Sequence, residues 1–257
     1  MKLLDRKGER KIMNCGEEAE IIEYINNKEI IVKFIKTGEM IKCEYNNFKK
    51  GQIKSHFTPT VYGVGIVGTD KIVDVNGKKA ISYEIWRSML QRCYDEKALQ
   101  RNPTYKNCLV CKEWLYYPNF KSWYDNNYYD VDDEQMCLDK DILFKGNKIY
   151  SPETCIFVPH NINKLFTKSN KVRGSLPIGV CWVNRDKVYR AQCNIFDIKS
   201  KISKRKNLGN FINIEQSFNT YKKAKEENIK QVADYYKDQI PKKLYDAMYK
   251  YEVYIDD

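Results

Sequence analysis

Histidine is almost missing from this chain: there are two in 257 residues, His56 and His160, so proton transfer near neutral pH has two imidazoles to draw on. No apolar stretch approaches the roughly 18 residues that a membrane-spanning helix needs. The opening MKLLDRKGERK lacks the apolar core of a secretion signal. Neither an internal repeat nor a low-complexity tract is present, which excludes a solenoid. These absences lead us to expect a soluble chain in the cytoplasm, with two or three small domains. Nine cysteines, an odd number and scattered, are then expected as reduced thiols, some of them candidate metal ligands.

What is present is charge, unevenly spread. The net formal charge is +11. Between Lys168 and Lys206, eleven Lys or Arg face only Asp186 and Asp197, a net +9 in one block. Between Asp125 and Asp141, seven carboxylates face Lys140 alone, a net −6. A localised basic block is the footprint of nucleic-acid binding, because neutralising phosphates releases counterions. The acidic stretch beside it would repel the same ligand unless it held a cation. Two solvated faces of opposite sign are the alternative.

Near the N-terminus, AEIIEYI, EIIVKFI and MIKCEY alternate at strand period, with turns at Asn26-Asn27 and Lys36-Thr37-Gly38. Three short antiparallel strands predict a small, strongly bent sheet or β-barrel, similar in architecture to Tudor-like or Src-homology-like barrels, and a candidate surface for a protein partner. SHFTPTVYGVGIVGTDK reads as a connector, with a boundary near residue 70. SYEIWRSMLQRCY places Ile85, Trp86, Met89, Leu90 and Cys93 on one helical face, with Ser82 as N-cap. Trp114, Phe120 and Trp123 are expected in the core. Further on, GVCWVNRDKVYRAQCNIF predicts two strands around an Asn184–Lys187 turn, and KNLGNFI a third. A helix follows to about Tyr236, capped by Asn213 with Gln216 three residues on. Pro241 opens a final amphipathic helix.

The stretch CLDKDILFKGNKIYSPETC holds the chemistry. Strand LDKDI, strand CIFVP and helix NINKLF form a β-β-α unit able to bring Asp139 and Asp141 around one cation. Magnesium or manganese keeps several waters, so one or two carboxylates suffice, and such an ion would stabilise charge on a scissile phosphate. Cys108 and Cys111 form a CxxC, and Cys137 and Cys155 flank the hairpin. Four thiolates would make a closed structural zinc site. With a single CxxC and the second pair eighteen residues apart, small core residues are the alternative.

Residues 82 to 166 resemble the HNH endonuclease family of phages and mobile elements. The likeness is carried by Trp86 to Tyr94, the VCKEW run, Phe120 to Trp123 and LDKDI…GN…YSPETC…VP…IN. In that family the first strand ends in Asp-His, the Asp a metal ligand and the His a general base. The resemblance puts Asp139 at the ligand position and Lys140 at the base position. It puts Thr154 at the orienting position and Asn163, before Asn161, at the last ligand position. A lysine of ordinary pKa, about 10.4, is protonated at neutral pH and cannot take a proton from water. His160, beside the predicted helix, is then either a replacement base or a helix-cap histidine, and His56 has no expected role.

Residues 174 to 235 resemble the APETALA2-type DNA-binding domain, a three-stranded sheet backed by one helix, through Gly179-Val180, Tyr189-Arg190-Ala191 and Leu208 to Phe211. The matching contact positions are Trp182, Arg185, Lys187, Arg190 and Gln192. Lys204, Arg205 and Lys206 are expected on phosphate. The insertion FDIKSKISKRKN departs from that family's hairpin. The expected fold class is α+β multidomain: a β-barrel and connector over 1–70, an HNH-like β-β-α metal domain over 71–168, an APETALA2-like domain over 169–237 and a C-terminal helix over 238–257. The expected function is a sequence-recognising DNA endonuclease of homing or phage-encoded type acting on double-stranded DNA with magnesium or manganese. The alternative is a degenerate HNH-fold DNA-binding or regulatory protein.

Overall fold

The computed structural model describes residues 5–73, 76–167 and 175–257. Lys168, Lys171 and Arg173 of the basic block lie outside them. The fold is mixed α/β, with four small sheets among the described residues. Among them no helix is long and apolar enough to cross a membrane. The chain divides into two compact units, Met1–Asn126 with Lys148–Ser151, and Asn127–Asn147 with Pro152–Asp257.

In the first unit, β1 (Arg10–Ile12), β2 (Glu18–Asn26), β3 (Glu29–Phe34) and β4 (Met40–Cys43) form an antiparallel sheet in that order. Strand alternation turns Ala19, Ile21, Ile30, Val32 and Phe34 into one core with Phe48 of α1 (Tyr45–Lys49). The barrel expected here is not formed. The sheet stays open with β1 and β4 as edges, because edge strands of three and four residues are too short to wrap and meet. β1 escaped sequence reading since all three of its residues are exposed and carry no apolar alternation.

Helix α2 (Ile81–Tyr94) buries Trp86, Met89, Leu90 and Cys93, the face its 3.6-residue period predicts. Ser82 is not its cap. The cap position is Ala80, and the Ser82 hydroxyl lies within the helix against the Tyr117 hydroxyl at 2.8 Å. The Trp86 indole N–H donates to the Trp114 carbonyl at 2.7 Å, and Trp114 packs on Phe120 and Trp123 with ring centroids 5.1 and 4.7 Å apart. Helix α3 (Glu96–Arg101) is capped by Asp95, and α4 (Tyr117–Asn127) carries Phe120 into the core. β5 (Leu109–Val110) pairs in parallel with β7 (Ile149–Tyr150).

In the second unit, β6 (Met136–Asp139) pairs antiparallel with β8 (Ile156–Pro159), and α5 (His160–Leu165) follows at once. A second sheet, in the order β11-β10-β9, is built from β9 (Val180–Val183), β10 (Val188–Asp197) and β11 (Ile202–Phe211). Helix α6 (Ile214–Tyr236) backs it, with Phe218 and Tyr221 against Val180 and Cys193. Gly179 has φ +79° under the Tyr221 ring, where a Cβ has no room. The insertion does not loop out. It lengthens the hairpin until Asp197 pairs with Ile202, and Asp197 closes the turn by accepting from the Lys199 N–H and Ser200 hydroxyl. The third strand therefore begins at Ile202, earlier than expected. Helix α7 (Lys242–Tyr249) completes the unit, and Val253 beyond it joins the α6 core.

Asn213 caps α6, its side-chain oxygen accepting from the Glu215 and Gln216 N–H groups. Asn213→Ala is expected to lower stability by about 1 kcal/mol in urea unfolding, with Asn213→Asp restoring most of it.

Candidate functional site

Strand β6 ends at Asp139 for a local reason. Asp139 Oδ1 accepts the backbone N–H groups of Asp141 (2.8 Å) and Ile142 (2.7 Å), closing a side-chain turn that stops the strand. Alternation along β6 buries Met136 and Leu138, which leaves Cys137 and Asp139 together on the other face. Lys140 is buried, its side chain 9% exposed, and its ammonium donates to Asp141 Oδ2 at 3.1 Å. The Asn147 side chain donates to the Lys140 carbonyl at 2.7 Å and ties down the far end of the loop. Burial, and next the Asp141 charge, raise the Asp139 pKa; the two backbone N–H groups and Lys140 oppose them.

His160 opens α5, with its backbone N–H on the Gln135 carbonyl and Nδ1 3.6 Å from Cys137 Sγ. Cys137 and His160 thus meet, and Asp139 lies two residues further along the same face of β6. Asn163 is half-buried on α5, and Thr154 half-buried ahead of β8. Among the described residues, no hydrogen bond joins the Asn163 side chain to Asp139. His56 belongs to the first unit, where Nδ1 meets Glu39 Oε1 at 2.5 Å.

Two residues to which the sequence reading gave no functional role complete this region. The Tyr236 hydroxyl donates to Glu134 Oε1 and also meets the Asn161 side chain, while Glu134 Oε2 is buried with no hydrogen-bond partner among the described residues. Burial, then the Glu134 hydrogen bond, push the Tyr236 phenol above its ordinary range. Glu134 and Tyr236 are 102 residues apart, so no local pattern announces the pair.

The hard oxygens of Asp139 and Asp141 suit magnesium or manganese, and Asp139 Oδ2 receives neither of the two backbone N–H groups held by Oδ1. Among the described residues no three His, Cys, Asp or Glu side chains gather as a metal group. Of the four cysteines considered for zinc, Cys108 and Cys111 fall in the first unit and Cys137 and Cys155 in the second, with Cys108 and Cys155 buried.

The sheet divides the basic residues by face. In an antiparallel pair, directly opposed side chains share a face. Arg190 opposes Asn210 and Cys181, Gln192 opposes Asn207, and Asn194 opposes Arg205. Trp182 opposes Tyr189, Lys206 opposes Cys193 and Lys204 opposes Ile195, all on the face that α6 backs. A bulge at Leu208 causes this split: Ala191 pairs with Gly209 but Gln192 with Asn207. Arg190 Nε donates to Asn210 Oδ1 at 3.0 Å. Arg185 and Lys187 sit in the β9–β10 turn, Lys187 at φ +51° and Arg185 forked onto Asp186 at 2.7 and 3.3 Å.

The acidic stretch meets the protein's own lysines: Asp125 pairs with Lys121 (2.5 Å), Asp132 with Lys201 (3.2 Å) and Asp141 with Lys140. Because folding raises the Asp139 pKa, the folded chain holds that proton more readily than the unfolded one. Stability therefore falls as pH rises from the unfolded value of about 3.9 through the folded one, and the cost is complete above it. Asp139→Asn should remove this cost: its urea midpoint relative to wild type is expected to rise as the pH is raised from about 4.

Compared with known proteins, the chain matches no family model, no curated protein and no solved structure.

Proposed function

We propose that this protein binds double-stranded DNA through the outward face of the β9–β10–β11 sheet and hydrolyses a phosphodiester at the β6–α5 centre. The observation that carries the reading is the shared face of Arg190, Gln192, Asn194, Arg205, Asn207 and Asn210. Guanidinium forks and amides are the groups that read base edges in a groove. None of the six is aromatic, which favours a duplex over the stacking platforms that hold single strands. Lys204 and Lys206 project from the edge strand on the other face and suit flanking phosphates.

At the centre, Asp139 and Asp141 would hold a hydrated magnesium or manganese ion, which when bound supplies Lewis-acid stabilisation of phosphate charge. His160 turns Nδ1 toward Cys137, so Nε2 is the nitrogen left to take a proton from water. Lys140 contributes fixed positive charge beside the two carboxylates. A second reading, binding without turnover, is favoured by one feature: the Lys140 ammonium already pairs with Asp141, in the place where the HNH family carries its base.

Plasmid cleavage with magnesium or manganese tests both. Wild type is expected to cut, and Asp139→Ala to cut at least 100-fold more slowly with duplex affinity kept. Arg190→Ala and Arg205→Ala should each weaken duplex binding by roughly 10-fold. Salt-sensitive binding without cutting leaves only the second reading, and no binding by wild type refutes both.

A further inference from the structure

Arg92 is held by aromatic rings and not by a carboxylate. Arg6, Arg10, Arg87 and Arg185 each lie within ion-pair range of a carboxylate, Glu9, Glu20, Glu84 and Asp186 respectively. Arg92, half-buried in the last turn of α2, has none among the described residues. Its guanidinium carbon sits 5.6 Å from the Tyr105 ring centroid and 5.3 Å from that of Tyr150, and Nε donates to the Ser88 carbonyl at 3.3 Å. The groups that act on its charge are Tyr150, Tyr105 and Cys93, with a further hydrogen bond to Tyr105. Lys148 precedes Tyr150 by two residues, and its ammonium reaches the Thr104 carbonyl, next to Tyr105, at 3.5 Å. Arg92 and Lys148 therefore both border the Tyr105–Tyr150 corner of the first unit, and among the described residues neither has a carboxylate in ion-pair range.

A guanidinium screened from water by two rings is costly to keep without an anion. The rings flank the guanidinium, Nε is engaged by the helix and Tyr105 takes a further hydrogen bond, so the remaining N–H groups are the fork it can offer a ligand. That fork matches two oxygens of a phosphate, and a lysine beside it adds a point charge. We propose that Arg92 and Lys148, with the Tyr105 hydroxyl, form a binding site for a phosphate group, separate from the sheet face and the β6 centre. The group is either a backbone phosphate of nucleic acid or a free phosphate. This inference does not depend on whether the β6 centre cuts.

Two measurements on the full chain test it: calorimetric titration with inorganic phosphate at constant ionic strength, and duplex affinity across a salt series. Arg92→Gln should weaken phosphate binding at least 10-fold. Lys148→Gln, an exposed change that leaves the core intact, should weaken it several-fold, and Arg92→Lys should fall between wild type and Arg92→Gln. If the natural phosphate belongs to DNA, each lost contact makes the slope of log affinity against log salt shallower by about 0.9. Weaker phosphate binding with an unchanged DNA slope assigns the site to a free phosphate. Phosphate binding and salt slopes that match wild type in Arg92→Gln and Lys148→Gln overturn the proposal, as does wild type that binds no phosphate while its salt slope is untouched by both changes.

Discussion

Asp139 spends one oxygen on two backbone N–H groups, and the arrangement around the candidate centre follows from that commitment. The turn it closes stops β6 and swings Lys140 inward. It also leaves Asp141 to face that ammonium and sets Asp139 on the same strand face as Cys137. A carboxylate buried for this purpose is destabilised in its charged form by burial and by Asp141. The surrounding protein tolerates the cost because backbone dipoles and a lysine offset part of it. Structural duty and chemical readiness are thus carried by different oxygens of one side chain.

The same economy of charge extends through the second unit. The sequence shows an acidic stretch beside a basic block, which looks contradictory for a polyanion binder. In the fold, Asp132 reaches Lys201 at the tip of the β10–β11 hairpin and Asp141 reaches Lys140. Exposed pairs of this kind add little stability. Their effect is to screen negative charge locally, at the hairpin tip and beside Asp139.

Much of the local structure was legible. The alternation of β2 and β3, the buried face of α2, the Asn213 cap and the three-strand-plus-helix order of the C-terminal region all follow from short-range patterns. Closure of the N-terminal sheet was not legible, because whether a meander closes depends on the length of edge strands, and β1 carries no pattern. Ser82 has the right chemistry for a cap but is taken by Tyr117, 35 residues away. In the candidate site, Asp139, Asp141, Lys140 and His160 could be named from the sequence, whereas the Glu134–Tyr236 contact and the Arg92 corner could not. Each of those is made by residues that only the fold brings together.

The bulge at Leu208 has a wider consequence. Side-chain direction in a strand is a matter of odd and even, and one surplus residue switches the count for everything beyond it. Here that switch brings Arg205 out beside Gln192 and turns Lys204 and Lys206 to the helix side, with Gly209 at φ +134° easing the backbone through. Were the strand to run through this point unbulged, pairing every residue in turn, Lys204 and Lys206 would face outward in place of Arg205, with no substitution in the basic run itself. For this hairpin, whatever holds the bulge in place also decides the outward surface chemistry, and with it the ligand preference.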